Sequence, residues 1–315
     1  MSSIASNDSR TVISAATPGW ESLPPEYAIP QHAPSLAKSE EYCRRMARSH
    51  YENFSVATWF LPQRLRQHFC NLYAYCRISD DLGDEVGDAA ASLRLLDEWE
   101  GELNACYAGS PRHPVFVALA NSVRLFDIPK QPFADLLTAF RQDQTVTRYP
   151  SFHDLVGYCR YSANPVGRLV LYLCGYRDAE RQELSDFTCT ALQLANFWQD
   201  VGVDYSKGRI YLPLEDLSSY GVSENDISEK RNSPEFCSMM RFEVERARDW
   251  FGRGLPLVGK VDRELAVDIE LFSRGGQEIL NAIEKQGYKI LGRRPSISKS
   301  RKLALVARAA LGKWL

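Results

Sequence analysis

Two pairs of aspartates share one spacing in this chain: Asp80 and Asp84 in "DDLGDE", and Asp200 and Asp204 in "WQDVGVD". Both segments are otherwise apolar and read as helices. Tyr73, Arg77, Asp80 and Asp84 lie at offsets of 0, 4, 7 and 11, so they share one helical stripe. Gln193, Asn196, Asp200 and Asp204 lie at offsets of 0, 3, 7 and 11 and fall within roughly 80° around a helix axis. Asp81 and Glu85 flank the first stripe. Acids one turn apart repel each other, and two carboxylate pairs cannot both face a dry core without neutralising partners. A hard divalent cation with oxygen ligands meets that need. Mg²⁺ commonly takes one or two carboxylates together with phosphate oxygens. Facing each other across a cavity, the two helices would hold metal against a diphosphate and stabilise the charge it develops as a leaving group. The chemistry that fits is ionisation of an allylic or cyclopropylcarbinyl diphosphate, with apolar walls for hydrocarbon. The competing reading of the first cluster is a solvated acidic patch with Arg77 in a local salt bridge. An EF-hand is excluded, because the D-x-D-x-D-G loop is absent.

The elements that position these groups are helical. From "LAKSEEYCRRMARSH" onward, apolar residues recur three and four apart in segments of about 15–30 residues. Pro and Gly punctuate them, in "FLPQRL", "GSPRHP", "DIPKQP", "TRYPSFHD", "SKGRIYLPLEDL" and "RRPSIS". The pattern predicts an all-α domain of eight to ten helices over residues 36–295, with "GRIYLP" as a short extended piece. Residues 1–35, rich in Ser and Pro, read as a flexible or extended arm. Residues 296–315 read as a basic C-terminal helix, packed on the domain or appended to it. From Lys289 to Leu315 there are eight Lys or Arg and no acid. That face either contacts anionic lipid or is a solvated surface of a packed helix.

Composition sets the outer bounds. The 315 residues are 44% hydrophobic and 25% charged, with a net charge of −2, which gives no footprint for nucleic acid. Eight dispersed cysteines form no C-x-x-C and accompany no His pair, so they read as reduced, mostly buried thiols of a cytoplasmic protein. The start lacks a basic region followed by an apolar run, and no stretch reaches the 18 apolar residues of a spanning helix.

"YAYCRISDDLGDE" and "ALQLANFWQDVGVDYSKGRIYLP" resemble the two aspartate-rich motifs of the squalene/phytoene synthase family, and the resemblance runs from about residue 40 to about 290. It implies an isoprenoid-synthase α-helical bundle with a central cavity. By resemblance, Asp80, Asp81, Asp84, Asp200 and Asp204, with Glu85, hold two or three Mg²⁺ ions with the diphosphate. Tyr73 and Arg77 match positions beside the diphosphate. Gln193, Asn196 and Tyr161 match positions lining the pocket, and Phe54 and Ser55 match an early segment that closes over a diphosphate. Arg209 and Tyr211 follow the second motif, with a structural salt bridge as the alternative role for Arg209. The spelling "NFWQDV", with "SHYENFSVATWFLP" and "YSANPVGRLVLYLCG", is similar to the branch that makes hydroxysqualene for hopanoids. That resemblance implies presqualene diphosphate as substrate, with water capturing the rearranged cation. Trp198, Phe197, Phe54 and Tyr161 are candidate aromatic faces for that cation, or plain core. NADPH is not expected, since no G-x-G-x-x-G follows a strand. A lipophilic product implies peripheral contact at the inner membrane surface. The alternatives are squalene, presqualene diphosphate or a phytoene-type product from farnesyl diphosphate or other prenyl diphosphates. A non-catalytic assembly protein on the same fold should have lost motif aspartates, and both pairs are intact.

Overall fold

The computed structural model describes residues 19–49, 62–298, 300–301 and 304–305. Among these, ten helices have ten or more residues: α1 (Leu36–Ser49), α2 (Gln63–Asp84), α3 (Ala89–Ala108), α4 (Pro114–Phe126), α5 (Gln131–Gln142), α6 (Phe152–Ser162), α7 (Asn164–Leu173), α8 (Ala179–Ser206), α11 (Pro234–Gly254) and α12 (Arg263–Lys285). Two short helices, α9 (Leu214–Ser219) and α10 (Glu224–Ser228), bring the total above the eight to ten expected. They lie in the loop-like stretch after "GRIYLP", where a single turn has too few residues to show a period. No strand occurs among the described residues. The extended piece at "GRIYLP" survives as one parallel bridge between Arg148 and Ile210.

Local signals explain where the helices start. Asp178 caps α8 by accepting from the Arg181 amide, and Ser151 and Asp154 form a reciprocal capping box on α6. Pro lies in the first turn of α4, α5, α7 and α11, where its missing amide costs nothing.

Two apolar clusters form the core. One joins α1 to α5 and part of α7, and is built around Tyr75, Trp99, Phe116 and Phe133. Here the back of α2 is pinned: Tyr75 donates to the Phe133 carbonyl at 2.8 Å, and the Trp99 indole donates to Ser79 at 2.9 Å. The second cluster joins α6, α8, α9, α11, α12 and the segment after α12. The motif helices α2 and α8 thus each present one face to a core and leave the other for a site. All eight cysteines are free thiols; Cys43, Cys106 and Cys159 are buried and the other five half-buried.

The Ser/Pro-rich arm departs from expectation. Residues 1–18 lie outside the described residues, but the chain from Gly19 packs on the first core through buried Trp20, Leu23 and Tyr27. Their spacing of three and four is a helical apolar pattern that the surrounding prolines obscure. Most of the stretch expected to form a basic C-terminal helix lies outside the described residues. Within them, Arg301 grips Glu278 of α12 with two hydrogen bonds of 2.9 and 2.7 Å. Among the described residues no helix is long and apolar enough to cross a membrane.

Candidate active site

The turn that ends α8 brings basic residues to an acidic end. The Asp204 carbonyl accepts from the amides of Lys207 (3.0 Å) and Arg209 (2.9 Å), and Gly208 takes φ of +80° to reverse the chain. A side chain there would be strained. The Arg148 guanidinium holds the Gly208 carbonyl at 2.7 Å, and the Ile210 amide bonds to the Thr147 carbonyl at 2.9 Å. So fixed, Arg209 reaches Asp84 at the end of α2, 3.0 Å away, and Lys207 stands 3.9 Å from the other Asp84 oxygen.

Four of the expected acids share this electrostatic environment. Burial first, and the neighbouring Asp84 next, push the Asp80 carboxyl up to about 6. Burial, then Asp200, push Asp204 up to about 7, with Lys207 and Arg209 opposing and Asp84 adding to the rise. These are carboxylates short of positive charge. Asp200 is served by Arg294, which forks onto it from the segment after α12 and also touches Gln199 at 3.2 Å. That segment is anchored by the Gln199 side-chain amide on the Pro295 carbonyl at 2.7 Å.

Asp81 and Glu85 face another way, toward the segment before α1, although Asp81 still adds to the rise of Asp80. Asp81 is buried, with both oxygens engaged by Arg77 and one also by the Tyr27 hydroxyl. With Glu85, Arg45 and Tyr42 it lines a separate polar recess of about 580 Å³. Among the described residues no three His, Cys, Asp or Glu side chains converge into a metal site by themselves. An all-oxygen donor set with two burdened carboxyls suits a divalent cation, and it leaves coordination positions for ligand oxygens. By its donors and its charge deficit, the group of Asp80, Asp84, Asp200 and Asp204 fits Mg²⁺.

Beneath the acids lies an apolar cavity of about 330 Å³ between α2, α7, α8, α12 and the 255–260 turn. Leu72, Tyr73, Cys76, Val170, Leu192 and Phe272 are among its walls. Cys76 is four residues before Asp80, so the cavity begins about 6 Å along α2 from the acids.

The remaining candidates divide. Gln193 is half-buried and Asn196 exposed, on the α8 face that carries Asp200. Tyr211 stacks on Phe197 at 3.9 Å between ring centres. Tyr161 is half-buried and packs against the second core cluster. Tyr158, one turn earlier on α6, is the tyrosine that reaches the acidic end, donating to Asp143 at 3.0 Å. Trp198 is fully buried, and its indole donates to the Glu243 carbonyl at 3.1 Å, so it is core rather than a face for a cation. Phe54 and Ser55 lie outside the described residues.

Sequence reasoning missed Asp143, Tyr158, Lys207 and Arg294. Asp143 ends α5; burial raises its carboxyl to about 6 despite the Tyr158 hydrogen bond and nearby Arg209. Its carbonyl accepts from Arg209 at 3.5 Å. Arg294 sits in "RRPSIS", which reads only as punctuation. A lone charge beside Pro carries no periodic signal.

A helical bundle that sets two aspartate-bearing helices over an apolar cavity is the all-α isoprenoid-synthase fold. The chain belongs to the squalene/phytoene synthase family, whose sequence model matches residues 47–301. Squalene synthase HpnC from Alicyclobacillus acidocaldarius superposes with a TM-score of 0.77 at 44% identity, over 86% of this chain and 98% of that one. A dehydrosqualene synthase solved with a ligand superposes with a TM-score of 0.80 at 28% identity, over 88% and 96%. The 15-cis-phytoene synthase of Synechocystis is 31% identical over 284 residues, 85% of this chain and 83% of its own.

Proposed function

We propose that the chain is a head-to-head isoprenoid synthase that converts presqualene diphosphate to hydroxysqualene. The observation that carries a diphosphate site is Arg209 on Asp84, with Lys207 beside it, above a cavity walled by hydrocarbon. Arg77, Lys207, Arg209 and Arg294 supply positive charge around the acids, and arginine forks suit phosphate oxygens. Asp80, Asp84, Asp200 and Asp204 would hold Mg²⁺, which when bound neutralises charge on the departing diphosphate. The apolar walls hold the chains and keep water scarce, so that the cyclopropylcarbinyl cation rearranges before capture. One water then adds to the allylic cation, and its proton leaves to the released diphosphate. The 44% identity to squalene synthase HpnC and the "NFWQDV" spelling support this branch over a phytoene product. Peripheral membrane contact in the cytoplasm belongs to the same reading, since the product is a lipid.

The phytoene synthases at about 30% identity favour a second reading, a synthase that starts from prenyl diphosphates and makes another head-to-head product. Incubation with presqualene diphosphate and Mg²⁺, followed by mass spectrometry, separates them. Hydroxysqualene without NADPH is the expected product. Turnover of farnesyl diphosphate alone, or a squalene product that requires NADPH, overturns the assignment.

A further inference from the structure

The arm before α1 reaches the first motif. Its two 3₁₀ turns, Trp20–Ser22 and Pro25–Tyr27, are held at both ends. The Trp20 indole donates to Glu98 of α3 at 2.9 Å, and the Tyr42 hydroxyl of α1 donates to the Glu26 carbonyl at 2.9 Å. Next to the second anchor, Tyr27 is 4% exposed, and its hydroxyl donates to Asp81 Oδ2 at 2.7 Å. Asp81, also 4% exposed, accepts Arg77 Nε on the same oxygen at 3.0 Å and Arg77 Nη2 on the other. The third Arg77 nitrogen, Nη1, stands 3.5 Å from Asp80 Oδ2. A relay thus runs from the strap through Asp81 and Arg77 to Asp80.

Each link limits the next. Burial, then Asp81, raise the Tyr27 phenol well above its usual range, so it stays protonated and can only donate to the carboxylate. A carboxylate held on one side by a phenol has one orientation left for the guanidinium fork. A fork fixed through Nε and Nη2 aims Nη1 toward Asp80, whereas a free arginine spreads over many rotamers.

We propose that Tyr27 is a positioning residue: through Asp81 it orients Arg77 for the diphosphate, which makes the strap before α1 part of the site's scaffold. Asp81 then belongs to that scaffold and not to the metal ligands. The inference rests on the reading of the acidic end as a diphosphate site.

The test uses Tyr27→Phe in the full chain, which keeps the ring in the core and removes only the hydroxyl. Binding of inorganic pyrophosphate with Mg²⁺ is measured by calorimetry, alongside turnover of the diphosphate substrate. Loss of a hydrogen bond to a charged group predicts a Kd about tenfold weaker, with KM raised more than kcat is lowered. In an Asp81→Asn background the same change has little further effect, because the relay is already broken. Tyr42→Phe, which frees the strap without touching Asp81, shifts Kd in the same direction. Unchanged Kd in both tyrosine variants, or losses that simply multiply with Asp81→Asn, overturns the proposal. Wild-type protein that binds no pyrophosphate overturns the site reading itself, and with it this inference.

Discussion

Arg209 Nη2 lies 3.0 Å from Asp84 Oδ1, although 125 positions separate them in the chain. The pair joins the end of α2 to the turn that closes α8. Its side chains are 18% and 28% exposed, so its contribution to stability is modest and its main effect is registration. In the proposed reaction both groups also meet ligand, so the contact orders the site before substrate arrives.

Arg209→Gln tests that double role. Lys207 remains 3.9 Å from Asp84, so the acid is not left alone. The melting temperature should move by less than about 3 °C. Turnover per bound enzyme at low substrate should fall by about 10- to 100-fold, read as kcat/KM.

Asp204→Asn should separate stability from activity. With its carboxyl raised to about 7, folded Asp204 favours the proton. Its contribution to stability is full below the unfolded value near 4, shrinks as pH rises and is gone above about 7. At pH 8 without metal, Asn removes a poorly solvated charge, and thermal unfolding should occur a few degrees higher than in wild type. Turnover with Mg²⁺ should fall at least about 100-fold.

Glu243 lies beneath α8, fully buried beside Arg246 and Asp216, and burial pushes its carboxyl up to about 9. The sign is again that of a raised acid: stability from its proton is present at low pH and lost as pH climbs toward 9. Glu243→Gln keeps the shape and cannot ionise. Melting curves from pH 6 to 9.5 should show wild type losing more than about 3 °C relative to the variant. Parallel curves would exclude Glu243 as the source.

Gly254→Ala tests the crossing of α11 over α8. An added Cβ would sit 2.2 Å from Thr188 Oγ1, 2.9 Å from the Thr188 amide nitrogen and 3.1 Å from the Leu184 carbonyl. The hydroxyl can turn away, but the backbone atoms belong to a long helix and cannot. The change should destabilise by about 1–3 kcal/mol, visible as a lower urea midpoint with unchanged slope.

Much of the candidate site is legible in the sequence because its signals are local. The aspartate pairs, Tyr73 and Arg77 announce themselves by helical spacing, and Arg209 by its place after the second motif. Tyr158 and Tyr161 fit one helix alike, and only packing brings Tyr158 to Asp143. Trp198 reads as a neighbour of the site because it lies two residues before Asp200. On a helix two residues are about 200° apart, so Trp198 points to the opposite side, here into the second core.

The sequence by itself determined the helical period, the two acid stripes and hence the family, since each depends only on residues within a few turns of one another. The tertiary structure alone decided which acids share an environment, that Asp81 turns toward Tyr27, and that Arg294 closes on Asp200. Those choices depend on chain reversals and on packing between segments tens to more than a hundred residues apart. Spacing along one helix specifies a face; it does not specify what that face will meet.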